Sequence, residues 1–283
     1  MASFTNFATL SYNGGTTNSN IVTGEILEAL TAVKTAVSAN YSAGDRITYA
    51  LSLVNTGTAA ITDYTVTDNL GGYTVGANTV YPLAYNAGTV RYYINGVLQA
   101  APIVTAGPPL TVTGLTVPAG GSAVLIYETT ATPVAPLATG SSITNTATIT
   151  GGGLTNPITA QATVETANSA DLTISKALSP TTVTENGQIT YTFVISNTGN
   201  TEATATGNVV VTDTFAPILR NIAVTYNGTA WTEGTNYTYN AATGVFTTLA
   251  GQITVPAASF TQNTDGTFTV TPGTATLVIT GTV

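Results

Sequence analysis

The chain has 283 residues, 5 Lys and Arg against 13 Asp and Glu for a formal charge of −8, and neither His nor Cys. Without imidazole or thiol it lacks the commonest metal ligands, the usual general base near neutral pH and all thiol chemistry, so a hydrolytic, redox or zinc enzyme is not expected and no cofactor is implied. An acidic balance with no basic stripe argues against nucleic acid and anionic membrane surfaces, and no partner of that kind is expected.

Only 6% of residues are charged while 43% are hydrophobic and 62 are threonine. Thr, Val, Ile and Tyr in such excess over good helix formers predict an all-β protein whose strands are half buried on pleated surfaces. The amino terminus, MASFTNFATLSYNGG, has neither the basic nor the apolar region of an export signal. No later window approaches the length of a membrane span, so no membrane insertion is expected.

Residues 1–28 read as two alternating strands around a Gly-containing turn, a hairpin preceding the first module. Residues 29–167 form that module. Within it, Ile47, Tyr49, Leu51 and Leu53 alternate with Thr48, Ala50 and Ser52, and the module ends in a second hairpin through ITNTATITGGGLTNPITAQATVET. Residues 168–283 repeat the first module. KTAVSANYSAGDRITYALSLVNTG at 34–57 aligns without a gap on KALSPTTVTENGQITYTFVISNTG at 176–199. After a three-residue insertion, Thr67-Asp68 faces Thr212-Asp213, and VPAGGSAVLIYETT at 117–130 faces VTPGTATLVITGTV at 270–283.

The repeat stops there, so the second module has no counterpart of the final hairpin. That counterpart stands at the other end of the chain: SFTNFATLSYNG at 3–14 matches SITNTATITGGG at 142–153, with Asn6 facing Asn145. The expected architecture is two tandem immunoglobulin-like Greek-key β-sandwiches preceded by an N-terminal donor hairpin, the second sandwich lacking its final hairpin. The NTG at 55–57 and 197–199 is expected to supply turn conformations with positive φ. Trp231 is expected in packing or on the surface.

Polar residues of three types, Lys, Asp and Asn, fall on apolar strand faces. Lys34 and Lys176 are the two lysines of the chain, and they occupy one aligned position on the first strand of each module. Lys176 is in phase with Leu172, Ile174 and Leu178. Asp68 is in phase with Val66 and Leu70, Asp213 with Val211 and Phe215, Asn145 with Ile143 and Ala147, and Asn6 with Phe4 and Ala8. Each module is thus expected to bury one acid and one base. Desolvation disfavours a buried ammonium and a buried carboxylate alike. A neutral amine beside a carboxamide polarised by a protonated acid attacks it, releases ammonia and leaves an amide bond. The bland alternative is a pair of ordinary buried ion pairs.

The K…NTG…TD…NTAT pattern resembles the bacterial surface-repeat family called domain of unknown function eleven, whose members resemble isopeptide-forming pilin and adhesin domains. The resemblance implies a first-strand Lys joined to a last-strand Asn, with a middle-strand acid promoting the reaction. On this chain that gives Lys34, Asp68 and Asn145 within the first module. Lys176 and Asp213 in the second find a matching Asn only in Asn6.

A sandwich without its last hairpin exposes a strand edge and part of its core, a template for another chain. The short stretch between Ile26 and Lys34 favours insertion of the hairpin into another copy. Such head-to-tail contacts generate open filaments unless rotation closes a ring. The expected role is a self-assembling structural subunit of a bacterial cell-surface or spore-surface fibre, outside the cell, whose partners are copies of itself. The alternative is a monomeric adhesin or carbohydrate-binding module using Tyr81, Tyr85, Tyr92 and Tyr93.

Overall fold

The computed structural model describes residues 2–26 and 29–283, and its secondary structure is almost all β. The described chain divides into two compact units, Met1–Ala135 with Ser142–Glu165, and Pro136–Ser141 with Thr166–Val283.

The N-terminal hairpin pairs Ala2–Asn6 with Val22–Ile26, placing Asn6 opposite Val22 and Phe4 opposite Gly24. Beyond a one-residue slip, Thr9–Tyr12 pairs with Gly15–Asn18. The extra residue of that slip lies on the return strand, between Asn18 and Val22, so the alternation of the outgoing strand is kept. Gly24 has a packing reason: a Cβ there would lie 2.4 Å from the Phe4 ring. Phe4, Phe7, Leu10, Tyr12, Ile21 and Val22 are all exposed, so this hairpin carries apolar side chains with no core beneath them.

The first module is a β-sandwich of two six-stranded sheets. One runs Val97–Leu98, Arg91–Ile94, Ser122–Ala131, Arg46–Asn55, Leu30–Ala36, with Leu83–Tyr85 pairing the end of Ser122–Ala131. The other runs Ile103–Thr105, Leu110–Val117, Ile61–Asp68, Ser142–Gly151, Ile158–Thr166, Asn40–Tyr41. Neighbours that are not consecutive in sequence give the Greek-key crossovers. Strand alternation directs Ile47, Tyr49, Leu51 and Leu53 from one sheet, and Tyr64, Val66, Ile143 and Ile149 from the other, into a fully buried core.

The second module keeps the first sheet: Leu172–Ser179, Gln188–Asn197, Gly273–Thr282, Arg220–Tyr226, Thr229–Trp231. Its facing sheet has three strands, Thr212–Thr214, Val245–Thr248 and Tyr237–Asn240. In the first module Ile61–Asp68 lies between two partners, with Ser142–Gly151 on its outer side. The equivalent Thr212–Thr214 is paired on one side only among the described residues. The core is otherwise complete, from Ile189, Phe193 and Ile195 across to Phe246, Val255, Leu277 and Ile279. Trp231 stacks on Tyr226 with ring centroids 4.8 Å apart.

Two sequence expectations need correction. Ser122 pairs with Val54, and Thr274 pairs with Ser196, the repeat-equivalent of Val54. The last strands therefore match with Tyr127 facing Ile279, one residue away from the alignment of 117–130 on 270–283. The preceding loops differ in length, and the demand that Leu277 and Ile279 face the core fixes the phase.

The second correction concerns NTG, which supplies no positive φ. Asn55 is fully buried. Its Nδ2 donates to the carbonyls of Ala59 at 2.9 Å and Pro118 at 3.0 Å, and its Oδ1 accepts from Gly57 N at 2.9 Å. Asn197 does the same with Thr201, Pro256 and Gly199. The glycine is needed for close approach, since a Cβ at Gly199 would sit 2.2 Å from the Ser169 carbonyl. An Asn55→Ala chain is expected to lose about 2–3 kcal/mol of stability in chemical denaturation, because two carbonyls and an amide lose their partner.

Candidate functional site

In the first module Lys34 enters from the Leu30–Ala36 strand and Asp68 from the facing sheet. Lys34 Nζ lies 2.5 Å from Asp68 Oδ2, and the two side chains are 0% and 1% exposed. The Tyr127 hydroxyl donates to the same Oδ2, and the Leu70 amide donates to Oδ1 at 2.9 Å. Both aromatic rings attend the amine: Nζ stands 4.8 Å from the Tyr49 centroid and 5.8 Å from that of Tyr127.

Asn145 completes the cluster from Ser142–Gly151, the strand that borders Asp68 and pairs Ala147 with it. Asn145 is 0% exposed; its carboxamide faces the Tyr49 and Tyr127 hydroxyls, and neither Nδ2 nor Oδ1 reaches a partner with good hydrogen-bond geometry. It lies close enough to Tyr49 and Tyr127 to lower their pKa values somewhat, against burial, which dominates and raises both. A carboxamide sealed from water with both polar atoms unpaired costs about 1–3 kcal/mol per group. The part of that cost due to Nδ2 disappears if Nδ2 leaves and Cγ, keeping Oδ1, becomes part of a new amide bond.

The amine is prepared for such a step. Burial lowers the Lys34 pKa from 10.5 to about 8, with the Asp68 charge and hydrogen bond acting in the opposite sense. Near neutral pH a usable fraction is then free base, which ordinary lysine lacks. Between pH 8 and 10 the unfolded chain holds this proton more firmly than the folded one. The stability of an Asn145→Ala chain, in which Lys34 stays free, should therefore rise with pH across that window. Above it the buried phenols, with raised pKa values, reverse the slope. Thermal melting at stepped pH values measures both trends.

The second module repeats the pair with a difference in cover. Lys176 Nζ is 2.5 Å from Asp213 Oδ2, but the side chains are 39% and 18% exposed. The expectation that this pair is buried is therefore corrected: the alternation is right, and among the described residues no strand pairs with the outer side of Thr212–Thr214 to cover it. The Thr214 amide donates to Asp213 Oδ1 at 2.9 Å. Ile279 in place of Tyr127 means that Asp213 receives no phenol from that strand. Nζ stands 4.4 Å from the Tyr191 centroid, with Phe193 and Phe215 at 5.4 and 5.5 Å. Around the pair, Ile174, Leu178 and Val210 are exposed.

Asn6 lies on the N-terminal hairpin, opposite Val22, as Asn145 lies opposite Ala162 in the final hairpin of the first module. Tyr127 carries little sequence signal of its role, being one aromatic hydroxyl among several at core-facing positions. The tyrosines of the alternative reading form no exposed platform. Tyr92 is buried, its hydroxyl donating to the Thr116 carbonyl, and Tyr81, Tyr85 and Tyr93 are half-buried. Among the described residues no helix is long and apolar enough to cross a membrane.

No protein-family model matches the chain, and no curated protein does. Solved structures similar to it include the major pilin subunit BcpA of Bacillus cereus, at 14% identity and a TM-score of 0.35, covering 96% of this chain and 73% of that one. The 35 kDa C-terminal fragment of the major pilin GBS80 of Streptococcus agalactiae matches at 14% identity and 0.37, covering 87% of each. The pilus backbone RrgB of Streptococcus pneumoniae matches at 14% identity and 0.36, with 86% of this chain covering about half, 55%, of that chain. At this identity and superposition these are likenesses between β-sandwich modules, and the chemistry of this chain stands on its own residues.

Proposed function

We propose that the chain is a self-assembling structural subunit of an extracellular fibre, in which the N-terminal hairpin of one copy completes the second module of the next. One observation carries the reading. The same Lys–Asp pair, at the same 2.5 Å, is sealed beneath a final hairpin in the first module and open in the second, while a matching hairpin with its own Asn is exposed at the start of the chain.

In this reading residues 1–28 are the donor, 29–167 a complete module and 168–283 the acceptor. The outer edge of Thr212–Thr214 offers unpaired backbone groups where Ile61–Asp68 in the first module binds Ser142–Gly151. Strand addition satisfies those groups and covers Ile174, Leu178 and Val210. Three residues separate the hairpin from the Leu30–Ala36 strand and span at most about 14 Å, which favours another copy as acceptor. Because donor and acceptor patches differ, the contact is heterologous and propagates.

The chemistry is a single turnover within the fibre, not catalysis on an external substrate. In the first module the Lys34 ammonium passes a proton to Asp68, and its lone pair forms an Nζ–Cγ bond to Asn145. The Cγ–Nδ2 bond breaks; Nδ2 leaves with one proton from the attacking nitrogen and the one held by Asp68, as ammonium. Lys176, Asp213 and Asn6 of a neighbouring copy take the same roles across the junction. No cofactor takes part.

Boiled denaturing electrophoresis of the wild-type chain is expected to give a ladder, with about 17 Da lost per bond formed, the mass of ammonia. Asn6→Ala should remove the ladder and retain the internal loss due to Lys34 and Asn145, and Asn145→Ala should do the converse. A wild-type chain that is one monomer band of unreduced mass, and monomeric by size exclusion, overturns the reading.

A further inference from the structure

Beyond the insertion itself, on whose correctness this inference rests, the structure assigns a residue pair that decides which module the hairpin fits: Tyr12 of the donor and Val209 of the acceptor. The first module shows how the junction is registered. Ser142–Gly151 pairs Ala147 with Asp68, Ile149 with Val66 and Gly151 with Tyr64. Matching Asn6 to Asn145 on one side and Asp213 to Asp68 on the other puts Ala8 opposite Asp213, Leu10 opposite Val211 and Tyr12 opposite Val209.

At the first two positions like replaces like. At the third the sizes are exchanged. In the first module the large residue is Tyr64, fully buried, and the small one is Gly151. Gly151 has φ of +80°, and a Cβ there would lie 3.1 Å from the Asp63 carbonyl, so its place is closed to a side chain. In the junction the acceptor contributes the small residue and the donor the large one.

The acceptor carries the corresponding space. A half-open cleft of about 160 Å³ lies beside Val209, lined by Leu172, Thr173, Ile174, Ile195, Val210 and Val211. The first-module counterpart of Val209 is the buried Tyr64 itself. A volume near 150 Å³ is enough for a benzene-sized group, and strand addition would close this cleft over the Tyr12 ring. The exposed Tyr12 reaches it from the strand phase it already shares with Leu10. The exchange also rejects wrong pairings: the donor hairpin would drive Tyr12 against Tyr64 in a first module, and a hairpin with Gly at this place would leave the second module with a void.

The test uses two full-length variants, Tyr12→Gly and Val209→Tyr, assembled separately and mixed, with size exclusion and denaturing electrophoresis as readouts. Each alone is expected to assemble roughly tenfold less well than wild type, one through a void and the other through a collision. Mixed, they should assemble as an alternating copolymer. The shortened donor of the Tyr12→Gly chain then meets the enlarged acceptor of the Val209→Tyr chain at one junction, and the native Tyr12 meets the native Val209 at the next. Tyr12→Phe should assemble like wild type, which keeps the inference testable on the exposed hairpin if Val209→Tyr does not fold. Wild-type assembly with an unaffected Tyr12→Gly chain, or a mixture of two folded variants no better than its parts, overturns the size matching and leaves the fibre reading intact. A wild-type chain that stays monomeric removes both.

Discussion

A lysine and an aspartate 2.5 Å apart on core-facing strand positions make a demand that the rest of each module must answer. Two charges taken out of water are costly unless they are paired and their remaining hydrogen-bonding capacity is met. The first module meets it with the Tyr127 hydroxyl, the Leu70 amide, two aromatic faces and a covering hairpin. In the second module water does part of this work, because Lys176 is 39% exposed. The two modules therefore hold the same ion pair under different cover, sealed in the first and solvated in the second.

The asymmetry is confined to one sheet. The lysine-bearing sheets of both modules share strand order and register, down to Lys34 against Leu51 and Lys176 against Phe193. The facing sheet falls from six strands to three. With the outer strand gone, Val209 and Val210 lie outside any ladder, although they continue the line of Thr212–Thr214. An edge of this kind is normally blunted with charge or proline. Here it is lined with valines, which suits an edge meant to be covered.

Much of this was legible in the sequence because strand alternation has a period of two, and a residue's phase survives insertions in loops. The repeat, the missing hairpin and the inward phase of Lys34, Asp68 and Asn145 all follow from it. Phase says where a side chain points but not what lies over it, so Lys176 and Asp213 read as buried when no strand among the described residues covers them. The one-residue slip that conceals the Tyr127–Ile279 correspondence lies in the loop before the last strand, where sequence similarity is weakest and hydrogen-bond register alone decides. The Asn of NTG misled in a different way: its short side chain suits turns of positive φ, and here it serves instead as a buried clamp between loops. The cleft beside Val209 has no sequence signal of its own, since nothing in the residues that line it announces the space that Tyr64 takes in the first module.

The position of Lys34 at the start of one module and Asn145 near its end has a mechanical consequence. With both amide bonds in place, tension entering a subunit at Asn6 runs along the chain to Lys34, crosses to Asn145, and continues to Lys176, where it leaves for the next copy. Residues 35–144 and 177–283 lie off that load path. The sandwiches then hang on a continuous covalent thread, and a pull strong enough to unravel an ordinary domain would find almost no hidden length to release.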